Sequence, residues 1–226
     1  LRTLQSYSKI LISLQESLMN GHANRLILAL IVVSLVASAH ADLLVGWDLT
    51  GVNSTLVPVF TNTVSAANIT SNSCVLSLGA GVNASGTAST FGGLDFTETS
   101  LANAITANDY FSWIVQADPG YEISITNISW NFNRSATGGS NLVLRSSFDN
   151  FSGDLYATND ISMLSPYGDA SFPVSLVGSN VVEFRLYSWG GTAGSGVDRF
   201  RNLAGEDLVV QGTLAVPEPG TIALMG

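Results

Sequence analysis

The sequence predicts an all-β domain, an antiparallel β-sandwich or jelly roll. After Asp42, short runs rich in Val, Ile, Phe, Tyr and Trp are separated by Gly, Asn, Ser, Thr and Asp, and no segment shows a sustained helical period. The clearest strand alternates with the two-residue period of a half-buried strand, with Val182, Phe184 and Leu186 on one side and Glu183, Arg185 and Tyr187 on the other. Nine such strands are enough for two sheets sharing one core.

We expect these nine strands near 43–49, 56–60, 74–79, 109–117, 121–132, 141–147, 171–177, 180–189 and 206–214. Turn residues precede several of them, as at 118–120, 138–139 and 178–180. The stretch 80–108 is the least regular, and we expect a long loop there.

One strand changes phase along its length. Its apolar positions are Ile123 and Ile125, then Ile128 and Trp130, so the alternation shifts at Thr126-Asn127. This shift predicts a β-bulge or bend, as in a long strand that passes between two sheets.

The N-terminal part has the pattern of a secretory signal peptide. Arg25 is followed by an apolar run and by Ala39-His40-Ala41, an A-x-A cleavage site. A membrane anchor is the alternative, but about a dozen apolar residues are few for a bilayer core of about 30 Å. We therefore expect 19–41 to be a signal peptide starting at Met19, 1–18 to lie upstream of the natural start, and 42–215 to form the exported domain.

Cleavage after Ala41 would leave a strongly acidic chain. It would carry five arginines and no lysine against sixteen Asp and Glu, for a formal charge of −11. Such a surface repels nucleic acid and anionic lipid, so we expect no nucleic-acid partner. Both histidines, His22 and His40, lie in the removed segment. Without His or Lys, the expected mature chain has no His-dependent triad, His-ligated zinc site or Schiff-base lysine.

Cys74 is the single cysteine, so no internal disulfide is available. It lies in an apolar run with no basic residue nearby in sequence. We expect it to be a small core residue rather than a reactive thiol.

The C-terminal segment 216–226 begins with Val216-Pro217-Glu218-Pro219 and continues into an apolar run that stops at Gly226. On this motif, the chain resembles the PEP-CTERM family, exported proteins of Gram-negative bacteria. In that family the motif precedes a transmembrane helix and an arginine cluster, and an exosortase processes the tail in organisms that make exopolysaccharide. The helix and the arginine cluster are absent here, so we expect a truncated sorting signal.

The body of the chain also resembles the β-sandwich domains found ahead of such tails. The similarity spans roughly 110–214 and rests on the segments 120–123, 128–130, 134–139, 144–148 and 184–189. The two resemblances imply a protein of the cell envelope, surface or extracellular matrix, held transiently in the inner membrane by its tail. They imply exosortase and polysaccharide as partners and no assigned catalytic activity.

Carboxylates are the catalytic groups left to such a chain, as in glycoside hydrolysis. The candidates are Glu98, Asp109, Glu122, Asp149, Asp154, Asp160 and Glu183, but no spacing distinguishes a pair, and we expect no catalytic residues. We expect no cofactor. A calcium ion is the weaker alternative, with oxygen ligands from Asp149, Asp154 and Asp160, although the D-x-D-x-D-G loop is absent.

Carbohydrate binding is the alternative function, because exposed aromatic rings stack on sugar faces. Tyr187 and Trp189 share the side opposite the apolar residues of their strand and are the candidate glycan contacts; packing in the domain is the competing role for both. Trp47, Trp113 and Trp130 lie within apolar strands, and we expect them in the core. The leading hypothesis is an exported, non-catalytic surface or matrix protein; a lectin-like module comes second and a carboxylate-only glycosidase third.

Overall fold

The computed structural model describes residues 42–159 and 169–217, which belong to one compact unit. The expected signal peptide with Ala39 and Ala41 lies outside these residues, as do Asp160, Glu218 and Pro219. Within the described ranges, no helix is long and apolar enough to cross a bilayer.

The described chain is mostly β-structure. It forms fifteen strands and one α-helix: β1 Asp42–Trp47, β2 Val59–Thr61, β3 Val64–Ser65, β4 Val75–Leu78, β5 Asn83–Ala84, β6 Thr90–Leu94, α1 Leu101–Ala107, β7 Tyr110–Gln116, β8 Glu122–Trp130, β9 Phe132–Arg134, β10 Asn141–Ser146, β11 Tyr156–Thr158, β12 Ala170–Ser179, β13 Val181–Trp189, β14 Val197–Arg201 and β15 Leu208–Ala215. Single 3-10 turns lie at Ser71–Ser73 and Ser147–Asp149.

These strands form three antiparallel sheets. A five-stranded sheet has the order β12-β8-β15-β1-β3, a six-stranded sheet the order β11-β10-β13-β7-β4-β2, and a four-stranded sheet the order β5-β6-β14-β9. The predicted all-β, antiparallel class is confirmed. Each of the nine expected strands corresponds to an observed one, and six additional strands of two to five residues were not expected.

The prediction of a long loop over 80–108 is wrong, because this stretch contains β5, β6 and α1. The glycines of β6 conceal the strand: a Cβ at Gly93 would lie 2.2 Å from Cγ1 of Val82, so glycine serves close packing rather than a turn. The helix has only seven residues, too few for a periodic pattern. Its start is set by Ser100, whose hydroxyl accepts a hydrogen bond from the amide of Asn103, and its end by Asn108 in a left-handed conformation.

The predicted irregularity in β8 is confirmed. Asn127 pairs with Gln211 and Ile125 with Gly212, so Thr126 is the extra residue of a bulge. The chain then leaves the five-stranded sheet at Asn131 and enters the four-stranded sheet as β9. The passage between sheets therefore lies after the bulge, where the backbone amide of Asn131 donates to the carbonyl oxygen of Asp207.

One hydrophobic core joins the three sheets. Trp113 of the six-stranded sheet stacks on Phe184, with ring centroids 5.4 Å apart, and contacts Trp130 and Phe200 of the other two sheets at 6.2 and 6.1 Å. The three tryptophans expected in the core, Trp47, Trp113 and Trp130, are buried. Val182, Phe184 and Leu186 also face inward, as their alternation predicts.

Cys74 is a free, fully buried cysteine, as expected. Burial raises the pKa of its thiol, which keeps the sulfur protonated and unreactive.

The core aromatics predict a large loss of stability when one of them is removed. Phe200 is fully buried and packs against Phe111 and Phe132 at 5.3 and 5.2 Å. We expect Phe200→Ala to lower the free energy of unfolding by about 3–5 kcal/mol in urea titrations. The control is Phe148→Ala, whose residue is 47% exposed and whose loss should stay within about 0.5 kcal/mol. Equal losses in both variants would contradict this assignment of the core.

Candidate functional site

The six-stranded sheet has one face in the core and one face outside it. Because Val182, Phe184 and Leu186 of β13 point inward, the alternate residues Glu183, Arg185, Tyr187 and Trp189 lie on the opposite side. Tyr110 of β7 is directly opposite Tyr187, and Val143 and Arg145 of β10 are opposite Tyr187 and Arg185. We call this surface the outer face.

A groove of about 410 Å³ lies at one end of the outer face. It is lined by Leu101, Val143, Ala157, Thr158, Asn159 and Trp189. Trp189 is half-buried and Asn159 is exposed. The backbone of Trp189 is held in place, because its carbonyl oxygen accepts hydrogen bonds from the amide of Ser140 and from Nδ2 of Asn141. We call this cavity the Trp189 groove.

Tyr187 and Trp189 lie on one face, as predicted, but their environments differ. Tyr187 is only 2% exposed, and its ring packs edge-on against Tyr110 with centroids 5.3 Å apart. Helix α1 packs against the same strand. Tyr187 therefore has the packing role, and Trp189 is the one of the two that lines a cavity.

Arg185 lies beside this pair. Its guanidinium carbon is 4.0 Å from the ring centroid of Phe151 and 4.9 Å from that of Tyr110, and its Nε donates to Oε1 of Glu183 at 2.7 Å. Burial lowers the pKa of Arg185, but hydrogen bonding to Glu183 and Tyr187 outweighs burial and holds this pKa above its ordinary value. Arg185 is a permanent cation with two aromatic contacts.

The loop that carries Phe151 is held by Arg145. Its Nε donates to Oδ1 of Asp154 at 2.7 Å, and its Nη1 donates to the carbonyl oxygen of Phe151 at 3.1 Å. Asn150 and Phe151 both have a φ of 58°. This left-handed conformation is unfavourable for a bulky residue such as Phe, and it persists here because the hydrogen bonds around it fix the loop.

Asp149 and Asp154, two of the candidate calcium ligands, make hydrogen bonds that stabilise this loop. The Asp149 carboxylate accepts hydrogen bonds from the amides of Ser152 and Gly153, and the Asp154 carboxylate pairs with Arg145. Asp160 lies outside the described residues, and residues 42–159 and 169–217 contain no group of three or more acidic, His or Cys side chains placed to hold a metal ion. Calcium binding here stays a prediction without further support.

The candidate catalytic carboxylates are spread over the molecule. Glu183 pairs with Arg185, and Glu122 begins β8 in the five-stranded sheet. Asp109 is 3% exposed, and burial, together with the negative charges of Glu98 and Asp95, raises the pKa of its carboxyl to about 6. No pattern in the sequence distinguishes Asp109, since an acid before an apolar strand is ordinary.

A second carboxylate, Asp198, is fully buried, and sequence reasoning missed it. Its Oδ2 accepts from the Ser188 hydroxyl at 2.5 Å, whereas Oδ1 has no hydrogen-bond partner in the described part of the chain. Burial raises the pKa of Asp198 to about 7, although Ser188, the amide of Gly139 and the charge of Arg134 lower it. A Cβ at Gly139 would lie 2.6 Å from Oδ2 of Asp198, so the predicted glycine turn also allows this close approach.

A second cavity, of about 340 Å³, lies at the five-stranded sheet. It is lined by Ser129, Trp130, Asn131, Asp169, Ala170, Ser171, Glu206 and Asp207. Its acidic groups have structural partners: Asp207 accepts from the amides of Leu49 and Leu203, and Asp169 accepts from the amide of Phe132 and pairs with Arg201. These bonds tie loops to strands, which explains the carboxylates without a ligand.

The sorting motif is described only at its start. Val216 follows β15 and is 65% exposed, and Pro217 follows it. Glu218, Pro219 and the apolar residues after them lie outside the described residues.

The raised carboxyl pKa values predict that the domain is more stable in mild acid. Unfolding returns Asp109 and Asp198 to an ordinary pKa of 3.8, so the folded state holds protons that the unfolded state releases above pH 4. The stability that these two protonated carboxyl groups contribute is fully present below about pH 4. It is lost as the pH rises through their folded-state pKa values of about 6 and 7. Asp198 alone should contribute a loss on the order of 2 kcal/mol between pH 5 and pH 8, measured by urea unfolding. The near-isosteric Asp198→Asn should reduce this dependence, and an unchanged pH profile in that variant would contradict it.

No protein-family model, curated protein or solved structure matches this chain. Its function is therefore inferred from the chemistry of the outer face and from the sequence patterns at its two ends.

Proposed function

We propose that this protein is an exported, non-catalytic component of the bacterial cell surface or extracellular matrix, and that its β-domain binds polysaccharide at the Trp189 groove. The observation that carries the binding proposal is the half-buried indole of Trp189, which lines a cavity of about 410 Å³ together with the exposed Asn159. The antiparallel sandwich, which we propose to be of the jelly-roll type, provides the rigid support.

The groove has the chemistry that sugars require. The faces of a pyranose ring carry C–H groups that stack on an aromatic surface, and Trp189, Leu101 and Val143 provide an apolar lining for them. The amide of Asn159 offers a donor and an acceptor to sugar hydroxyls. A small number of polar groups in a mostly apolar cavity is the usual composition of a small-ligand site.

A carboxylate-only glycosidase is the second candidate, and Asp109 is the observation that favours it. A carboxyl with a pKa of about 6, close to Glu98 and Asp95, resembles the acid of a catalytic pair. Asp109 is only 3% exposed, however, so a glycosidic oxygen has no access to it. We therefore assign its raised pKa to burial in the fold and favour binding without turnover.

The proposed location rests on the chain ends. The apolar segment before Ala41 favours export, and Val216-Pro217-Glu218-Pro219, placed directly after β15, favours processing of the tail by an exosortase. The expected mature charge of −11 favours neutral glycans over nucleic acid or anionic lipid. Export and sorting would bring the domain to the exopolysaccharide that we propose it binds.

The groove predicts that Trp189→Ala weakens glycan binding. We expect at least about a tenfold rise in Kd for the polysaccharide or oligosaccharide that the domain binds, since loss of one aromatic contact is worth roughly 1.4 kcal/mol. Isothermal titration calorimetry provides the measurement, and reducing-sugar release provides the test for turnover. Phe148→Ala, an exposed aromatic outside the groove, is the control. Unchanged affinity in Trp189→Ala would remove the groove as the site, and turnover abolished by Asp109→Asn would favour the glycosidase.

The tail predicts exosortase-dependent processing. In cells that have the enzyme, the natural full-length protein should lose its C-terminus near Val216 to Pro219 and leave the inner membrane. Cells without the enzyme should retain the intact tail. Mass spectrometry of the C-terminal peptide after fractionation distinguishes the two. An intact tail in both strains would reduce the motif to a linker.

A further inference from the structure

A second group of side chains on the outer face has a geometry that the groove does not explain. It consists of Arg185, the rings of Tyr110 and Phe151, and the carboxylate of Glu183, and we call it the Arg185 clamp. The guanidinium lies over both rings, and its Nε is tied to Glu183 at 2.7 Å. These contacts fix the guanidinium at three points and leave it little rotational freedom.

One ring of the clamp, that of Phe151, lies on a loop with a strained backbone. Phe151 reaches Arg185 from a loop in which Asn150 and Phe151 have φ values of 58°. Such a conformation is unfavourable for a non-glycine residue and persists where the surroundings enforce it. Here the Phe151 amide donates to the carbonyl oxygen of Ser146 at 2.8 Å, and Arg145 binds the Phe151 carbonyl oxygen. The strained loop therefore places an aromatic ring over a half-buried cation.

The clamp leaves hydrogen-bonding capacity unused. A guanidinium has five N–H donors. Its partners in the described part of the chain are the Glu183 carboxylate and the Tyr187 hydroxyl, so at least three donors remain for solvent or a ligand. The side chain of Arg185 is 27% exposed and that of Glu183 is 30% exposed. Fixed donors therefore lie beside an accessible carboxylate acceptor.

The charges around the clamp cancel. Arg145 lies directly opposite Arg185 in the pairing of β10 with β13, and Asp154 pairs with Arg145 as Glu183 pairs with Arg185. The site therefore offers no net positive charge, and the acidic domain around it disfavours a polyanion. A neutral ligand that both accepts from N–H groups and donates to a carboxylate matches this arrangement. Adjacent hydroxyl groups of a sugar do so.

We propose that the Arg185 clamp is a second carbohydrate subsite, which hydrogen-bonds adjacent hydroxyl groups of a neutral sugar through the free N–H donors of Arg185 and the carboxylate of Glu183. This inference rests on the proposed function and specifies its ligand. Arg185 and Trp189 are four residues apart on one strand face, about 13 Å at the usual rise of about 3.3 Å per residue. One sugar ring does not reach both positions, so the ligand is an oligosaccharide or a polymer.

The test uses the purified full chain with two sets of probes. The neutral set contains cello-, laminari-, manno- and xylo-oligosaccharides of two to six units, and the acidic set contains oligosaccharides of alginate and polygalacturonate. We expect binding in the neutral set, stronger for longer chains and little changed between 50 and 500 mM NaCl.

Arg185→Lys keeps the charge but loses the planar donor fork and should weaken binding about tenfold or more. Phe151→Gly removes the ring, accepts the positive φ, and should weaken binding too, whereas Phe148→Ala should not.

Each outcome separates the two proposals. Binding that is lost in Trp189→Ala but unchanged in Arg185→Lys and Phe151→Gly would overturn the second subsite and leave the groove standing. Preference for the acidic set, reduced by salt, would overturn the neutral ligand. No binding to either set would overturn the proposed function itself. Thermal unfolding of each variant shows that it is folded, and Phe151→Gly, which relieves backbone strain, serves as the test if Arg185→Lys unfolds.

Discussion

The alternation of β13 between two environments is the constraint on which the rest of the molecule depends. On one side, Phe184 stacks on Trp113 in the core. A slip of one residue would place Arg185 there instead, and burying an unpaired charge is far more costly than any gain from a new register. The register of the six-stranded sheet is therefore fixed, and the same register sets Glu183, Arg185 and Trp189 on the outer face. Core packing and candidate site are two consequences of one pattern.

The sheets are joined at points where backbones approach closely and polar groups are buried. Asp198 lies in β14 with no exposed surface, bonded to Ser188 of β13, and the turn at Gly138-Gly139 packs directly on its carboxylate. Asp207 similarly bonds the amides of Leu49 and Leu203. These carboxylates connect loops and strands from distant parts of the sequence. Such connections specify one arrangement of the sheets, although Asp198 loses solvation in the process.

The sequence was sufficient for the features that depend on local periodicity. The nine expected strands, the bulge at Thr126 and the buried tryptophans follow from alternation and composition, because one apolar face per strand must be covered. The other six strands could not be found this way. In β14 the inward positions are Asp198 and Phe200, so a buried acid conceals the apolar phase. The glycines of β6 conceal that strand in the same way.

The candidate site was predictable only in part, for a related reason. The alternation of β13 predicts on which face Trp189 lies. The other residues of its groove come from α1, β10, β11 and the residue that follows β11, and they converge only in the fold. The burial of Tyr187 depends on neighbours that the sequence does not place beside it. The contact of Phe151 with Arg185 could not be predicted from the sequence. It depends on two successive residues in the left-handed conformation, in a loop that Arg145 stabilises. Nothing in the residues 147–154 alone indicates that conformation.

The proposed ligand and the composition of the expected mature chain support one another. A domain without lysine or histidine, with five arginines against sixteen acids, has little free positive charge with which to bind a polyanion. For the ligand we propose, its means of recognition would be aromatic faces, amides and neutralised ion pairs, each of which contributes modestly. A polysaccharide presents the same sugar unit many times along one chain, so the two proposed subsites on one face would act at a high effective concentration. Weak contacts would then be sufficient for the proposed retention in a matrix, and that role would require no catalytic group.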